Sequence, residues 1–353
     1  MKTILFDNII YSLQHVGGIS SQWAMLQNGL LHNSEVNLLF LERKDAVNNL
    51  YRKSIDVPCE KIVEPVCKYP LIIDRYRNVD VNNIDLDIFH SSYYRCANSK
   101  DVRSVVTVHD FTYERFMTGL RRNVHCKQKY NAIIKAEVIV CVSENTKRDL
   151  LYYLPETNKN KVRVIHNGVS DDFHKIEGAL RGDRLVYVGS RAKYKNFEFV
   201  VEVLSETSYH LDICGAPLSS REQRYLNRKL GKGRYKVYSN LNNKGLNELY
   251  NNARCLIYPS SYEGFGLPII EAQRAGCPVI ALNKSSIPEV IGETPLLLKS
   301  LNRNELLLAL EMIESPTLFE NVSKMGLENA KKYTSQSMIN GYRNIYSELL
   351  SKS

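Results

Sequence analysis

Short apolar runs rich in Val, Ile and Leu alternate with helical patterns along the whole chain, and that alternation constrains the fold more than any other feature. It argues for parallel sheets with helices packed on their faces. In the first half the strand-like runs fall at Thr3–Phe6, Val36–Leu41, Asp87–His90, Ser104–His109, Val138–Val142 and Val162–Ile165. In the second half they fall at Arg184–Val188, His210–Cys214, Tyr235–Tyr238, Cys255–Tyr258, Val279–Ala281 and Leu296–Leu298. Two sets of about six strands imply two Rossmann-like domains, and 353 residues suffice for two cores.

The polar, turn-rich stretch Asn167–Asp172 follows a strand, and a polar region through Gly182-Asp183 precedes the next one. The boundary therefore falls there, with one domain over residues 1–170 and a second over 171–333. From about Thr334 to residue 353, Met338, Ile339, Tyr342, Ile345, Tyr346 and Leu349 recur at helical spacing, which predicts a terminal amphipathic helix. The chain shows no internal repeat and no low-complexity tract.

Apolar residues make up 44% and charged residues 24%, as in ordinary soluble globular proteins. No apolar run approaches the ~18 residues that cross a bilayer. Asp7 interrupts the one apolar stretch near the N-terminus, so no secretory signal is expected and a cytoplasmic location is. The eight cysteines, at 59, 67, 96, 126, 141, 214, 255 and 277, form no C-x-x-C pair and there is no histidine cluster. They read as reduced core residues, and no metal site is expected. A net charge of +9 favours an anionic partner without identifying one.

The segment Glu263-Gly264-Phe265-Gly266-Leu267-Pro268-Ile269-Ile270-Glu271 carries the densest chemistry. Gly264 and Gly266 let backbone amides approach an anion, and Pro268 suits the first turn of a helix. A helix N-terminus beside such a turn is a natural seat for phosphate. Glu271 lies more than a turn inside that helix, so the two carboxylates flank a diphosphate and hydrogen-bond the hydroxyls of a sugar on either side. The plainer alternative is a helix start with two solvated glutamates.

Other segments offer candidate sites. Gly189-Ser190-Arg191-Ala192-Lys193-Tyr194-Lys195 follows a strand, where open α/β sheets bind ligands. Arg191 can grip phosphate with a bidentate fork and Lys195 can add a point charge, or the loop is simply solvated. Gly17-Gly18 sits before a helix expected to begin near Ser21, either as a phosphate turn or as a plain connection. His109-Asp110 ends a strand, and Ser143 is a credible N-cap for the next helix. Between Arg115 and Lys135 the cations interleave with apolar residues as in a basic amphipathic helix, which either rests on an anionic membrane or is an ordinary surface helix. No G-x-G-x-x-G and no P-loop occurs, which counts against dehydrogenases and P-loop ATPases.

The run from Tyr258 to Ile280 closely resembles the donor-site signature of retaining glycosyltransferase family 4. That resemblance implies a GT-B architecture: α/β, with two Rossmann-like domains whose parallel sheets face a central cleft, and a C-terminal helix crossing back to the N-terminal domain. The first domain would be the acceptor side and the second would bind the nucleotide-sugar. It further implies Arg191 and Lys195 on the donor diphosphate, Glu263 on the transferred sugar and Glu271 on the ribose. Gly17, Gly18, Gly189, Gly264, Phe265, Gly266 and Leu267 would lie against the donor, His109 would face the transferred sugar, and Ser143 would line the acceptor side. The implied activity is retaining transfer of a hexose, metal-independent, from a GDP-, UDP- or dTDP-sugar. The acceptor would be a glycan or a polyprenyl-diphosphate-linked glycan of a surface polysaccharide such as O-antigen or capsule. The residues Tyr187–Asn196 and Gly17–Ser20 look most like O-antigen mannosyltransferases, which favours GDP-mannose, although Val237–Asn242 lacks the glycine-containing turn usual near the base. A peripheral position on the cytoplasmic face of the membrane would suit such an acceptor, and no nucleic-acid partner is expected. The alternatives are another GT-B enzyme of epimerase or phosphorylase type, or a non-catalytic basic protein that binds RNA or lipid. The first would need a carboxylate set or a pyridoxal lysine motif that the chain does not display.

Overall fold

The computed structural model describes residues 2–31, 36–65 and 69–351; Cys67 lies outside them. The chain divides into two compact units, Met1–Gly168 with Ser335–Ser353, and Val169–Thr334. Each is built on one parallel sheet.

The first unit holds strands β1 Thr3–Asp7, β2 Asn37–Leu41, β3 Ile62–Val63, β4 Ile88–Ser91, β5 Arg103–Val108, β6 Val138–Cys141 and β7 Val162–Val164. They lie side by side in the order β3-β2-β1-β4-β5-β6-β7, every neighbouring pair parallel. The central strands β1 and β4 are buried along their whole length, because helices cover both faces of a parallel sheet. β3 was not expected from the sequence. It is two half-buried residues at the sheet edge, too short to leave a pattern.

The second unit holds β8 Arg184–Val188, β9 His210–Cys214, β10 Tyr235–Tyr238, β11 Cys255–Tyr258, β12 Val279–Leu282 and β13 Leu297–Leu298, in the order β10-β9-β8-β11-β12-β13. These pairs are parallel as well. Both sheets thus carry the Rossmann strand order, in which the chain winds outward from a central pair in two directions. The central pair is β1 and β4 in the first unit, β8 and β11 in the second. Loops leaving the C-terminal ends of such a pair diverge and leave a crevice, which is where open α/β sheets bind ligands.

The terminal helix Ser335–Ser351 belongs to the first unit. Its buried face, Met338, Ile339, Tyr342, Ile345, Tyr346 and Leu349, is the one the sequence marks, and it joins the core of Phe6, Trp23 and Phe40. Gly29 admits the Ile339 side chain against the helix Gly18–Leu30, where any Cβ would collide with it. A polar ladder fixes the register: His90 Nδ1 lies 2.7 Å from the Tyr346 hydroxyl, His90 Nε2 is 3.0 Å from Thr107 Oγ1, and Thr107 Oγ1 is 2.9 Å from the Tyr342 hydroxyl. Burial pushes the His90 pKa down to about 3, so the ring is neutral and shares its two nitrogens as donor and acceptor.

Two helix expectations are corrected. The helix expected near Ser21 begins at Gly18, with Gly17 as its N-cap in an extended conformation. The segment from Arg115 to Lys135 is two helices rather than one, Thr112–Phe116 and Gly119–Lys135, because Met117 and Thr118 are extended between them and Gly119 starts the second at φ +72°. Among the described residues no helix is long and apolar enough to cross a membrane. The seven described cysteines are free thiols, and Cys59 is exposed rather than in a core.

Candidate functional site

In the second unit the loops after β8 and β11 meet at the crevice between those strands. β8 ends at Val188, and Gly189 turns with φ +132°, beyond the range open to a side chain. Asn196 closes the loop in a left-handed conformation, φ +53°, as the N-cap of the helix Phe197–Leu204. Its amide nitrogen donates to the Pro259 carbonyl at 2.7 Å and to Ser261 Oγ at 2.8 Å, while Ser261 N–H donates to the Tyr194 carbonyl at 2.8 Å. The two loops are therefore tied together by backbone and amide bonds before any charge is counted.

Across that tie Lys195 Nζ donates to Glu263 Oε1 at 2.7 Å, with the two side chains only 15% and 13% exposed. Tyr258, at the end of β11, lies beneath, with the Lys195 ammonium 5.6 Å from its ring centroid. The loop after β12 supports the acid from behind: Glu263 N–H donates to Ser285 Oγ at 2.8 Å, and Ser286 Oγ donates to the carbonyls of Glu263 and Phe265 at 2.9 Å. Gly266, φ +106°, then caps the helix Leu267–Arg274, which carries Pro268 in its first turn as the sequence suggests. Leu267 is half-buried, whereas Gly264, Phe265 and Gly266 are buried.

Glu271 sits on that helix with its carboxyl drawn into the fold, where it accepts from the Tyr250 hydroxyl at 3.1 Å. Burial pushes its pKa up to about 7, and the Tyr250 hydrogen bond offsets part of that rise. A carboxyl in this state gains from any further hydroxyl donors brought to it.

Arg191 takes a different set of partners from Lys195. Its Nε donates to Glu222 Oε1 at 2.5 Å, and its two terminal nitrogens donate to the carbonyls of Ala216 and Pro217 at 2.9 Å each. This arrangement needs Gly215 after β9, because a Cβ there would stand 2.6 Å from the Gly189 carbonyl oxygen. Beside Arg191 opens a concavity of about 590 Å³, lined also by Glu198, Arg221, Arg224, Tyr225 and Arg228. The loop after β10 contains Asn240 at φ +59°, a conformation that glycine favours and asparagine tolerates.

In the first unit Asp7, at the end of β1, is fully buried and bonded by Arg95 through Nη2 at 2.6 Å and Nε at 2.9 Å. This bridge closes the crevice end between β1 and β4, and its residues carried no recognisable motif. His109 follows β5; its Nε2 is shielded from water and has no hydrogen-bond partner among the described residues. Burial holds its pKa down to about 4, so the ring is neutral at physiological pH. Tyr94, held at φ +55°, accepts the His109 N–H at 3.4 Å and fixes this turn. Gly18 is exposed and Gly17 half-buried. Ser143 is fully buried and caps the helix Glu144–Tyr153, its Oγ accepting from Thr146 N–H at 3.0 Å.

The basic face between Arg115 and Lys135 is narrower than its sequence implies. Lys129 is buried against Glu114, with Nζ 2.6 Å from Oε1, and His125 stacks on Tyr113 at 3.7 Å between centroids. Burial lowers the His125 pKa to about 4, which removes it from the cations. Arg121, Lys127 and Lys135 remain exposed, beside Leu120 at 79% and Ile134 at 72% exposure. Among the described residues no group of three His, Cys, Asp or Glu side chains is placed to hold a metal.

Two family models match adjoining stretches of the chain: "Glycosyltransferase Family 4" over residues 16–173 and "Glycosyl transferases group 1" over residues 170–329. An uncharacterized 41.2 kDa protein in the cps region of Klebsiella pneumoniae is 25% identical over 96% of this chain and 99% of its own length. The O-antigen chain mannosyltransferase B of Escherichia coli is 25% identical over 76% of this chain and 77% of its own. Among solved structures, Anabaena Alr3699/HepE in complex with UDP and glucose superposes with a TM-score of 0.74 at 13% identity, covering 99% of this chain and 100% of that one.

Proposed function

We propose that this chain, which belongs to glycosyltransferase family 4 and has the GT-B type of fold, transfers a hexose with retention of anomeric configuration from a nucleoside-diphosphate sugar to a surface-polysaccharide acceptor. The observation that carries this reading is the Lys195–Glu263 pair, set across the crevice between β8 and β11 at the N-terminal end of the helix Leu267–Arg274. A cation, a carboxylate and the positive end of a helix dipole in one crevice suit a diphosphate with a sugar attached.

As the bond from the anomeric carbon to the phosphate oxygen breaks, the sugar gains oxocarbenium character and negative charge collects on the diphosphate. Lys195, with three N–H donors, keeps donating to Glu263 while donating another N–H to a phosphate oxygen. Arg191 adds the second positive charge, and the turn Gly264–Leu267 with Gly189 shapes the floor. Glu263 then takes hydroxyls of the transferred sugar, and Glu271 takes those of the ribose, which relieves the burial of its carboxyl. The departing phosphate oxygen receives the acceptor's proton, with the charge balanced by Arg191 and Lys195.

GDP-mannose is the favoured donor, from the likeness to an O-antigen mannosyltransferase, with UDP- and dTDP-sugars as the alternatives. The acceptor is a glycan on a lipid diphosphate, reached on the cytoplasmic face of the membrane, and the exposed stripe of Leu120, Val124, Lys127 and Ile134 with Arg121 suits an anionic lipid surface. The test is a set of incubations with GDP-mannose, UDP-glucose and dTDP-glucose and a lipid-linked acceptor, followed by NMR of the product's anomeric proton. An α-linked product from an α-linked donor is expected; a β-linked product, or none from any donor, contradicts the reading.

A further inference from the structure

Arg191 lies in the crevice loop, yet its orientation is set from elsewhere. Glu222, in the first turn of the helix Ser220–Lys229, closes a capping box with Ser219: Glu222 Oε2 accepts from Ser219 N–H at 2.8 Å and from Ser219 Oγ at 2.7 Å, while Ser219 Oγ accepts from Glu222 N–H at 3.3 Å. The other carboxylate oxygen, Oε1, is left for Arg191 Nε at 2.5 Å. One carboxylate therefore terminates a helix with Oε2 and clamps a guanidinium chiefly with Oε1, Arg191 Nη2 adding a long bond of 3.5 Å to Oε2. The guanidinium is held on its remaining edge by the Ala216 and Pro217 carbonyls, so four of its five N–H groups are engaged and one hydrogen on Nη1 is left over. Without the clamp, the open space of about 590 Å³ beside Arg191 gives the long side chain room to swing away. Arg191, foremost, and the Ser219 hydroxyl hold the Glu222 pKa down to about 2, so the clamp is charged at every physiological pH.

We infer that Glu222 is a positioning residue for phosphate recognition: its carboxylate, rather than the helix cap it also closes, fixes the Arg191 guanidinium with one N–H presented to the donor diphosphate. This rests on the reading of Arg191 as a phosphate ligand. A side chain already held in place loses little conformational freedom when the phosphate arrives, so the clamp appears in affinity and turnover rather than in folding alone. Nothing in the local sequence of the Arg191 loop marks Glu222, which lies 31 residues further along the chain.

The experiment is isothermal titration of the full chain with GDP, UDP and dTDP, for wild type, Glu222→Gln, Ser219→Ala, Arg191→Ala, Arg191→Lys and Arg191→Lys/Glu222→Gln, with the thermal midpoint of each. Glutamine at this position preserves a capping box while removing the charge from Arg191. Glu222→Gln is expected to weaken the best-binding nucleotide about tenfold with an unchanged midpoint, and to add nothing in the Arg191→Lys background, since lysine lacks the fork that Glu222 orients. Ser219→Ala should lower the midpoint and leave affinity unchanged. Unchanged or tighter binding by Glu222→Gln, an equal loss in the Arg191→Lys background, or a matching affinity loss in Ser219→Ala overturns the inference. If Arg191→Ala binds nucleotide as well as wild type, the phosphate role of Arg191 fails and takes this inference with it. If Arg191→Ala abolishes binding while Glu222→Gln is silent, the positioning role alone fails.

Discussion

Glu271 shows how much the second unit's site depends on burial rather than on residue type. Its carboxyl, partly buried against Tyr250, has its pKa raised from 4.5 to about 7 by burial. Between those values the folded protein holds a proton that the unfolded chain has released, so the stability this group contributes is complete at the acid end and is lost as pH rises towards 7. Glu271→Gln should remove that slope. Urea unfolding at intervals from pH 4.5 to 8 should show wild type losing stability relative to the variant as pH rises, and parallel curves would contradict the account. At this scale the sequence made Arg191, Lys195, Glu263 and Glu271 visible, because a strand followed by cations and a glycine turn followed by a helix are local patterns. It hid Ser285, Ser286, Asn196 and Tyr94, whose importance arises only when separate loops meet. It also hid the burial of Lys129 against Glu114, a partner on the preceding helix.

The elements differ in how openly they were written. β8, β9, β10 and β11 occupy the residues expected of them, since each is an apolar or alternating apolar–polar segment bounded by polar or turn-forming residues. β3 left no signal, and the break at Met117-Thr118 leaves little, because cations and apolar residues continue at helical spacing across it. The terminal helix was legible from its stripe of apolar residues, but the ladder of His90, Thr107, Tyr342 and Tyr346 that sets its register was not, since polar residues on a buried face blur the pattern. Tyr346→Phe would strand His90 Nδ1 in the core, at a cost of about 1–3 kcal/mol. Chemical denaturation followed by fluorescence of Trp23, which packs edge-on against His90, reads this directly. An unchanged midpoint would show that the ladder does not hold the helix.

Across the whole molecule the alternation of strands and helices made two Rossmann-like units legible, while strand order was not, because order depends on which way each crossover winds. That order matters most for function: it makes β8 and β11 neighbours and brings together two loops separated by some sixty residues of chain. The central claim is that those loops form a seat for a nucleoside diphosphate. It is tested most directly by titrating GDP, UDP and dTDP into the wild-type chain and into Lys195→Ala. The account predicts that at least one nucleotide binds wild type and that Lys195→Ala weakens it by about 2–3 kcal/mol, as for a lost charge-assisted hydrogen bond. Binding of none of the three, or equal affinity in the variant, would contradict it.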